Sequence, residues 1–146
     1  MAALHIRQGN LFTRRFSRAL QPSPKEHQLQ IQLVTLLKWA IRPDVIFLHC
    51  PNGEVRDKVT AAKLRAMGVL PGVSDLMFFW ATPKFRALFL ELKRPGAKLT
   101  TEQAAFGLAM RVMGADFEVA TSVDEALEVV RVRGLLRPDR EIRRRT

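Results

Sequence analysis

The stretch from Gly72 to Lys93 limits what this chain can fold into more than any other. Leu76-Met77-Phe78-Phe79-Trp80 and Arg86-Ala87-Leu88-Phe89-Leu90-Glu91-Leu92-Lys93 flank a turn through Ala81-Thr82-Pro83-Lys84. Short apolar runs rich in aromatic and branched residues read as buried strands. Pro83 breaks any helix between them, so the pair reads as a hairpin. Side chains alternate along a strand. Ala87, Phe89, Glu91 and Lys93 therefore share one face, and Leu88, Leu90 and Leu92 share the other. Asp75 opens the first strand, and closing the hairpin brings it towards Glu91. Burying such charges costs several kcal/mol each unless they are paired or hold a metal. Two readings follow: an ion pair at a strand end, or a divalent metal site with a lysine beside it.

The rest of the chain supplies the covering elements. Ser23-Pro24-Lys25-Glu26 is a helix start, with serine as N-cap, proline in the first turn and glutamate closing a capping box. Leu29, Leu33, Leu36, Leu37 and Ala40 continue one apolar face, and Pro43 stops the helix near Ile41. Val45–Cys50 reads as a strand ended by the turn Pro51-Asn52-Gly53. His49 and Cys50 at its end read as packed residues, with metal ligation as the alternative. Glu54–Met67 reads as a helix or helical turn stopped by Gly68. Its cations, Arg56, Lys58, Lys63 and Arg65, read as a solvated face or as phosphate contacts. Thr100 and Gln103 form a capping box for a helix to about Met113. Asp116–Thr121 is a last strand, Ser122 caps a last helix through Val130, and Gly134 and Pro138 close the ordered part. The order helix, strand, helix, strand, strand, helix, strand, helix predicts an α/β fold, a mixed central sheet flanked by helices.

Charge divides the chain into three parts. Residues 1–25 hold five Lys/Arg and no acid, residues 131–146 hold seven Arg against two acids, and residues 26–130 hold twelve of each sign. The net charge of +10 therefore resides in the ends. The expected division is a basic arm over 1–22, a folded domain over 23–133 and an Arg-rich tail over 134–146. Basic arms attract nucleic acid by releasing counterions from phosphate. A single cysteine, Cys50, excludes an internal disulfide framework. No apolar stretch approaches the roughly 18 residues of a membrane span. Leu11–Leu20 has the Arg-rich, acid-free composition of a transit peptide but lacks the apolar core of a secretory signal. The expectation is a cytoplasmic protein.

Asp75 followed by Glu91-Leu92-Lys93 resembles the pattern of the PD-(D/E)xK nuclease superfamily. The wider wording narrows the likeness. Asn52-Gly53-Glu54-x-Arg56, Ala66-Met67-Gly68-Val69-x-Pro71-Gly72-Val73-Ser74-Asp75-Leu76, Glu91-Leu92-Lys93-Arg94-Pro95-Gly96 and Leu99-Thr100-x-x-Gln103 look like the VRR-NUC (virus-type replication-repair nuclease) domain. The likeness runs from about Glu26 to Val130. One departure is Ser74, where the superfamily pattern has proline; that position shapes the loop and is not a ligand.

The resemblance implies a restriction-endonuclease-like core that hydrolyses phosphodiester bonds in DNA. It implies Mg²⁺ or Mn²⁺ held by Asp75, Glu91 and the Leu92 carbonyl, since hard cations take oxygen ligands. Lys93 would orient water or stabilise the transition state. Gln103 matches a glutamine near that lysine, and Glu26 matches a glutamate that points towards the metal. Arg56, Lys63, Arg94 and Lys98 are the candidate DNA contacts. The family implies a structure-selective enzyme for junctions or flaps in replication and repair, often viral, and its small members are similar to homodimeric junction resolvases. Competing readings are a non-catalytic DNA-binding module and a sequence-specific restriction-type endonuclease.

Overall fold

The computed structural model describes residues 24–51, 58–81 and 83–140. The elements run α1 Pro24–Ala40, β1 Ile46–His49, α2 Lys58–Ala66, β2 Leu76–Ala81, β3 Phe85–Leu92, α3 Thr101–Val112, β4 Asp116–Ala120 and α4 Val123–Val132. This is the α/β order expected from the sequence. The strands form one sheet in the order β1-β2-β3-β4. β2 and β3 pair antiparallel across a short turn, β1 pairs antiparallel with β2 across the connection that carries α2, and β3 pairs with β4 in parallel. A parallel pair needs a crossover, and α3 supplies it.

Alternation along β2 and β3 separates two cores. Leu76, Phe78, Trp80, Leu88, Leu90 and Leu92 pack with Leu33 and Leu37 of α1 and with Ala126, Leu127 and Val130 of α4. On the other face Phe89 meets Phe106 of α3 and Phe117 of β4, with Met77 and Ala87 beside them. The expected division of β3 into two faces is the one observed. The sheet is thus sandwiched, with α1 and α4 on one side and α3 on the other.

Two glycines let α3 lie close. Gly107 sits over the Phe117 ring, where an added Cβ would come within 2.7 Å of it. Gly72 has φ +81°, and a Cβ there would meet the Glu102 carbonyl carbon at 2.4 Å. The loop into Asp75 therefore rests on the first turn of α3. Both helix starts that can be seen in full agree with the expected caps. Thr100 accepts the Gln103 N–H while Gln103 accepts the Thr100 N–H. Ser122 accepts the Glu125 N–H. The Glu125 carboxylate takes the Thr121 N–H and hydroxyl, which ends β4 at Ala120, one residue earlier than expected.

The packed body runs past the expected boundary at residue 133. Leu135 is fully buried in the larger core. Arg42 N–H donates to its carbonyl, Arg137 N–H donates to Ala40, and Leu136 bridges Ile41. Arg133 clamps the end of α4 to β4 through Asp116 at 2.8 Å and Glu118 at 2.7 Å. Arg137, expected in the Arg-rich tail, is thus partly structural, and its Nε also donates to the Ile41 carbonyl. The expected capping box at Ser23, the start of the 54–67 helix, and the arm over 1–22 involve residues outside those described.

Gly72 generates a prediction. Gly72→Ala forces a side chain into α3 backbone at a positive φ, a combined strain of about 2 kcal/mol or more. The melting temperature should fall by roughly 8 °C. A melting curve within experimental error of the parent would show that the loop and α3 are not in contact.

Candidate active site

The β2–β3 register pairs Leu76 with Leu90. Extended by one residue, it sets Asp75 opposite Glu91, and cross-strand partners have Cβ atoms roughly 4.5–5.5 Å apart. Two carboxyl groups thus meet where the hairpin strands leave the sheet. Asp75 Oδ2 accepts the Leu92 N–H at 2.8 Å. Glu91 is 1% exposed. Its Oε1 takes two donors, Lys93 Nζ at 2.9 Å and Gln103 Nε2 at 2.5 Å. Its Oε2 is buried and has no hydrogen-bond partner.

Gln103 closes the expected α3 capping box through its Oε1 and also bonds Glu91, donating from its Nε2. A planar amide can do this because donor and acceptor point apart. The first turn of α3 is thereby fixed to the carboxylate, as Gly72 fixes it to the Asp75 loop.

The electrostatics follow from burial. Loss of water pushes the Glu91 pKa up to about 7, and the Asp75 charge pushes in the same direction; the Lys93 hydrogen bond and charge oppose both. Burial also raises the Asp75 pKa, against the Leu92 N–H and the charges of Lys93 and His49. With both carboxyls ionised, Asp75, Glu91 and Lys93 sum to one negative charge. A plain ion pair would leave no second carboxylate facing the first and no orphaned oxygen. A buried acceptor without a partner costs about 1–3 kcal/mol. The donor set therefore fits a hard cation between Asp75 and Glu91: oxygen ligands, net negative charge and one buried oxygen without a donor.

The remaining candidates lie at varied distances from this centre. Glu26, in the first turn of α1, reaches the loop after β3, where its Oε1 accepts the Arg94 N–H at 3.1 Å and lies 3.7 Å from Arg94 Nε. Its charge still raises the pKa of both Asp75 and Glu91. Among the described residues no three His, Cys, Asp or Glu side chains gather as a metal-ligand group, so Asp75 and Glu91 form the centre and Glu26 stands at its edge. Leu92 enters through its N–H. Arg94 and Lys98 are exposed on the loop between β3 and α3. Lys63 is exposed on α2, away from the paired carboxyls in sequence and element; Arg56 lies outside the described residues.

Sequence reasoning missed Gln30 and read His49 chiefly as packing. His49 Nδ1 lies 2.8 Å from the Asp75 carbonyl oxygen and 2.7 Å from the Gln30 amide. Gln30 follows Glu26 by four residues, so helical spacing puts both on one face of α1. That spacing was the available signal.

A family model for the VRR-NUC domain matches residues 17–124. A solved structure described as a "VRR_NUC domain protein" is similar to this chain with a TM-score of 0.59 at 20% identity, over 76% of this chain and 88% of that one. No curated protein matches the chain.

The raised Glu91 pKa predicts a pH effect. An unfolded glutamate titrates near 4.3. Between there and about 7 the folded state binds more protons than the unfolded state. Stability therefore falls as pH rises through that window and levels off above it, a loss of order 3 kcal/mol. Glu91→Gln removes the ionisation. In metal-free buffer its melting temperature relative to the parent should rise by roughly 10 °C between about pH 5 and pH 8. A pH-independent difference would contradict the burial assigned to Glu91.

Proposed function

The chain belongs to the VRR-NUC domain family, and on that premise we propose that it is a metal-dependent endonuclease that hydrolyses phosphodiester bonds in branched DNA, at junctions or flaps. The observation that supports this reading best is the buried, unpartnered Glu91 Oε2 opposite Asp75. Asp75, Glu91 and the Leu92 carbonyl would hold Mg²⁺ or Mn²⁺, and Glu26 would act from the edge of the site. The cation would supply Lewis acidity at the scissile phosphate.

The chain's own residues do the remaining work. Lys93 Nζ, on a side chain largely withdrawn from solvent beside Glu91, can donate to the attacking water or to the charge that grows on the phosphoryl oxygens. Gln103 keeps Glu91 in one orientation, so the carboxylate does not have to reorganise during the reaction. Arg94 and Lys98 flank the site on the loop that enters α3, whose N-terminus favours phosphate. Lys63, Arg56 and the basic ends would add contacts along the backbone. A two-fold homodimer would present two such centres to two strands. No helix among the described residues is long and apolar enough to cross a membrane.

The test uses labelled four-way junctions, flaps, splayed arms and linear duplex, each with Mg²⁺ and with Mn²⁺. Branched substrates should be cut and linear duplex left largely intact. Asp75→Ala and Lys93→Ala should each slow cleavage by about 10³-fold or more while DNA binding persists. A parent protein that binds junctions tightly and cuts none would make it a binding module. Arg94→Ala with Lys98→Ala should reduce the slope of log affinity against log salt by about 2. An unchanged slope would remove both residues from the interface.

A further inference from the structure

The Asp75 carbonyl oxygen receives more than its strand requires. Cys50 N–H donates to it at 3.1 Å, continuing the β1–β2 ladder. His49 Nδ1 lies 2.8 Å from the same oxygen. The ladder bond already satisfies the carbonyl, and His49 is exposed, so the second bond has little to contribute to folding.

The ring is itself held. A carbonyl only accepts, so the bond to Asp75 requires a proton on Nδ1, which the Nδ1–H tautomer and the imidazolium both carry. Gln30 lies 2.7 Å from that nitrogen. With its amide oxygen turned to the ring it shares the same proton, an exchange of amide ends that leaves the heavy atoms in place. One helical turn earlier on α1, Glu26 holds Arg94 at the exit of β3. Helix α1 therefore contacts both sides of the site, through β1 at His49 and through the loop after β3 at Arg94.

Asp75 is gripped at both ends: its carbonyl by β1 and its carboxylate by the Leu92 N–H of β3. We propose that His49, steadied by Gln30, is a positioning residue that fixes the Asp75 backbone so that its carboxylate faces Glu91 and receives the divalent cation. This rests on the nuclease reading above. Groups that orient a metal ligand through hydrogen bonds usually change metal affinity by about 10–100-fold when removed. A histidine that merely decorates the surface would change nothing.

Direct Mn²⁺ binding by calorimetry tests this on the full chain, with the parent, Asp75→Ala, His49→Ala and His49→Asn compared. Asn can place its Nδ2 donor where Nδ1 stands. His49→Ala should weaken Mn²⁺ binding about tenfold or more, and His49→Asn should restore it to within about threefold of the parent. The melting temperature of the metal-free protein should be the same for both His49 variants and the parent. If Asp75→Ala abolishes binding while His49→Ala binds as the parent does, the positioning role falls and the nuclease reading stands. If His49→Asn is as weak as His49→Ala, or if His49→Ala lowers the metal-free melting temperature in step with its affinity, the role also falls. A parent that binds no Mn²⁺ overturns both.

Discussion

The antiparallel register of β2 and β3 is the constraint on which the site depends. A slip of one residue would move every side chain of one strand to the opposite face. Glu91 would then enter the core packed by α1 and α4, and Leu90 and Leu92 would replace it beside Asp75. The apolar pattern opposes that slip. Leu76, Phe78, Leu88 and Leu90 are fully buried. Burying four such side chains is worth about 6–12 kcal/mol together. That exceeds the penalty of order 3 kcal/mol for an ionised Glu91. The hydrophobic register thus holds an unfavourable charge in place, and the charge is what gives this edge of the sheet its chemistry.

The helices complete the site from their ends rather than their middles. Glu26 lies in the first turn of α1 and Gln103 in the first turn of α3. Helix N-termini carry partial positive charge and free N–H groups, which suit an anionic substrate. The two attachments differ in kind. Helix α3 is fixed by contacts with no slack: a two-sided amide and a glycine against backbone. Helix α1 reaches the site through longer side chains, Glu26 to Arg94 in the loop after β3 and Gln30 to His49 at the end of β1. Its apolar face, with Leu33 and Leu37 fully buried, packs it on the sheet.

Much of this was legible in the residues. The two faces of β3, the hairpin at Pro83, the caps at Thr100 and Ser122 and the α/β order all follow from local spacing, and the structure has each of them. The pairing of Asp75 with Glu91 was legible because a short hairpin leaves few registers. His49 was less so: a histidine at a strand end has no periodic signal, and its partner Gln30 lies on a helix that packs on the sheet only after folding. The role of Leu135 was hidden for a similar reason. An Arg-rich, Gly- and Pro-punctuated segment reads as solvated, yet one of its leucines is fully buried in the larger core.

By itself the sequence determined which residues share a face, where helices begin and which charges sit at the sheet margin. These are consequences of period and of local hydrogen bonding, which act over a few residues. The tertiary structure decided how deeply Glu91 is buried, that Glu26 meets Arg94, that His49 meets Asp75 and that the chain beyond residue 133 returns to Ile41. Those outcomes require segments far apart in sequence to close together, and closure is set by the packing of whole faces, which no local spacing encodes.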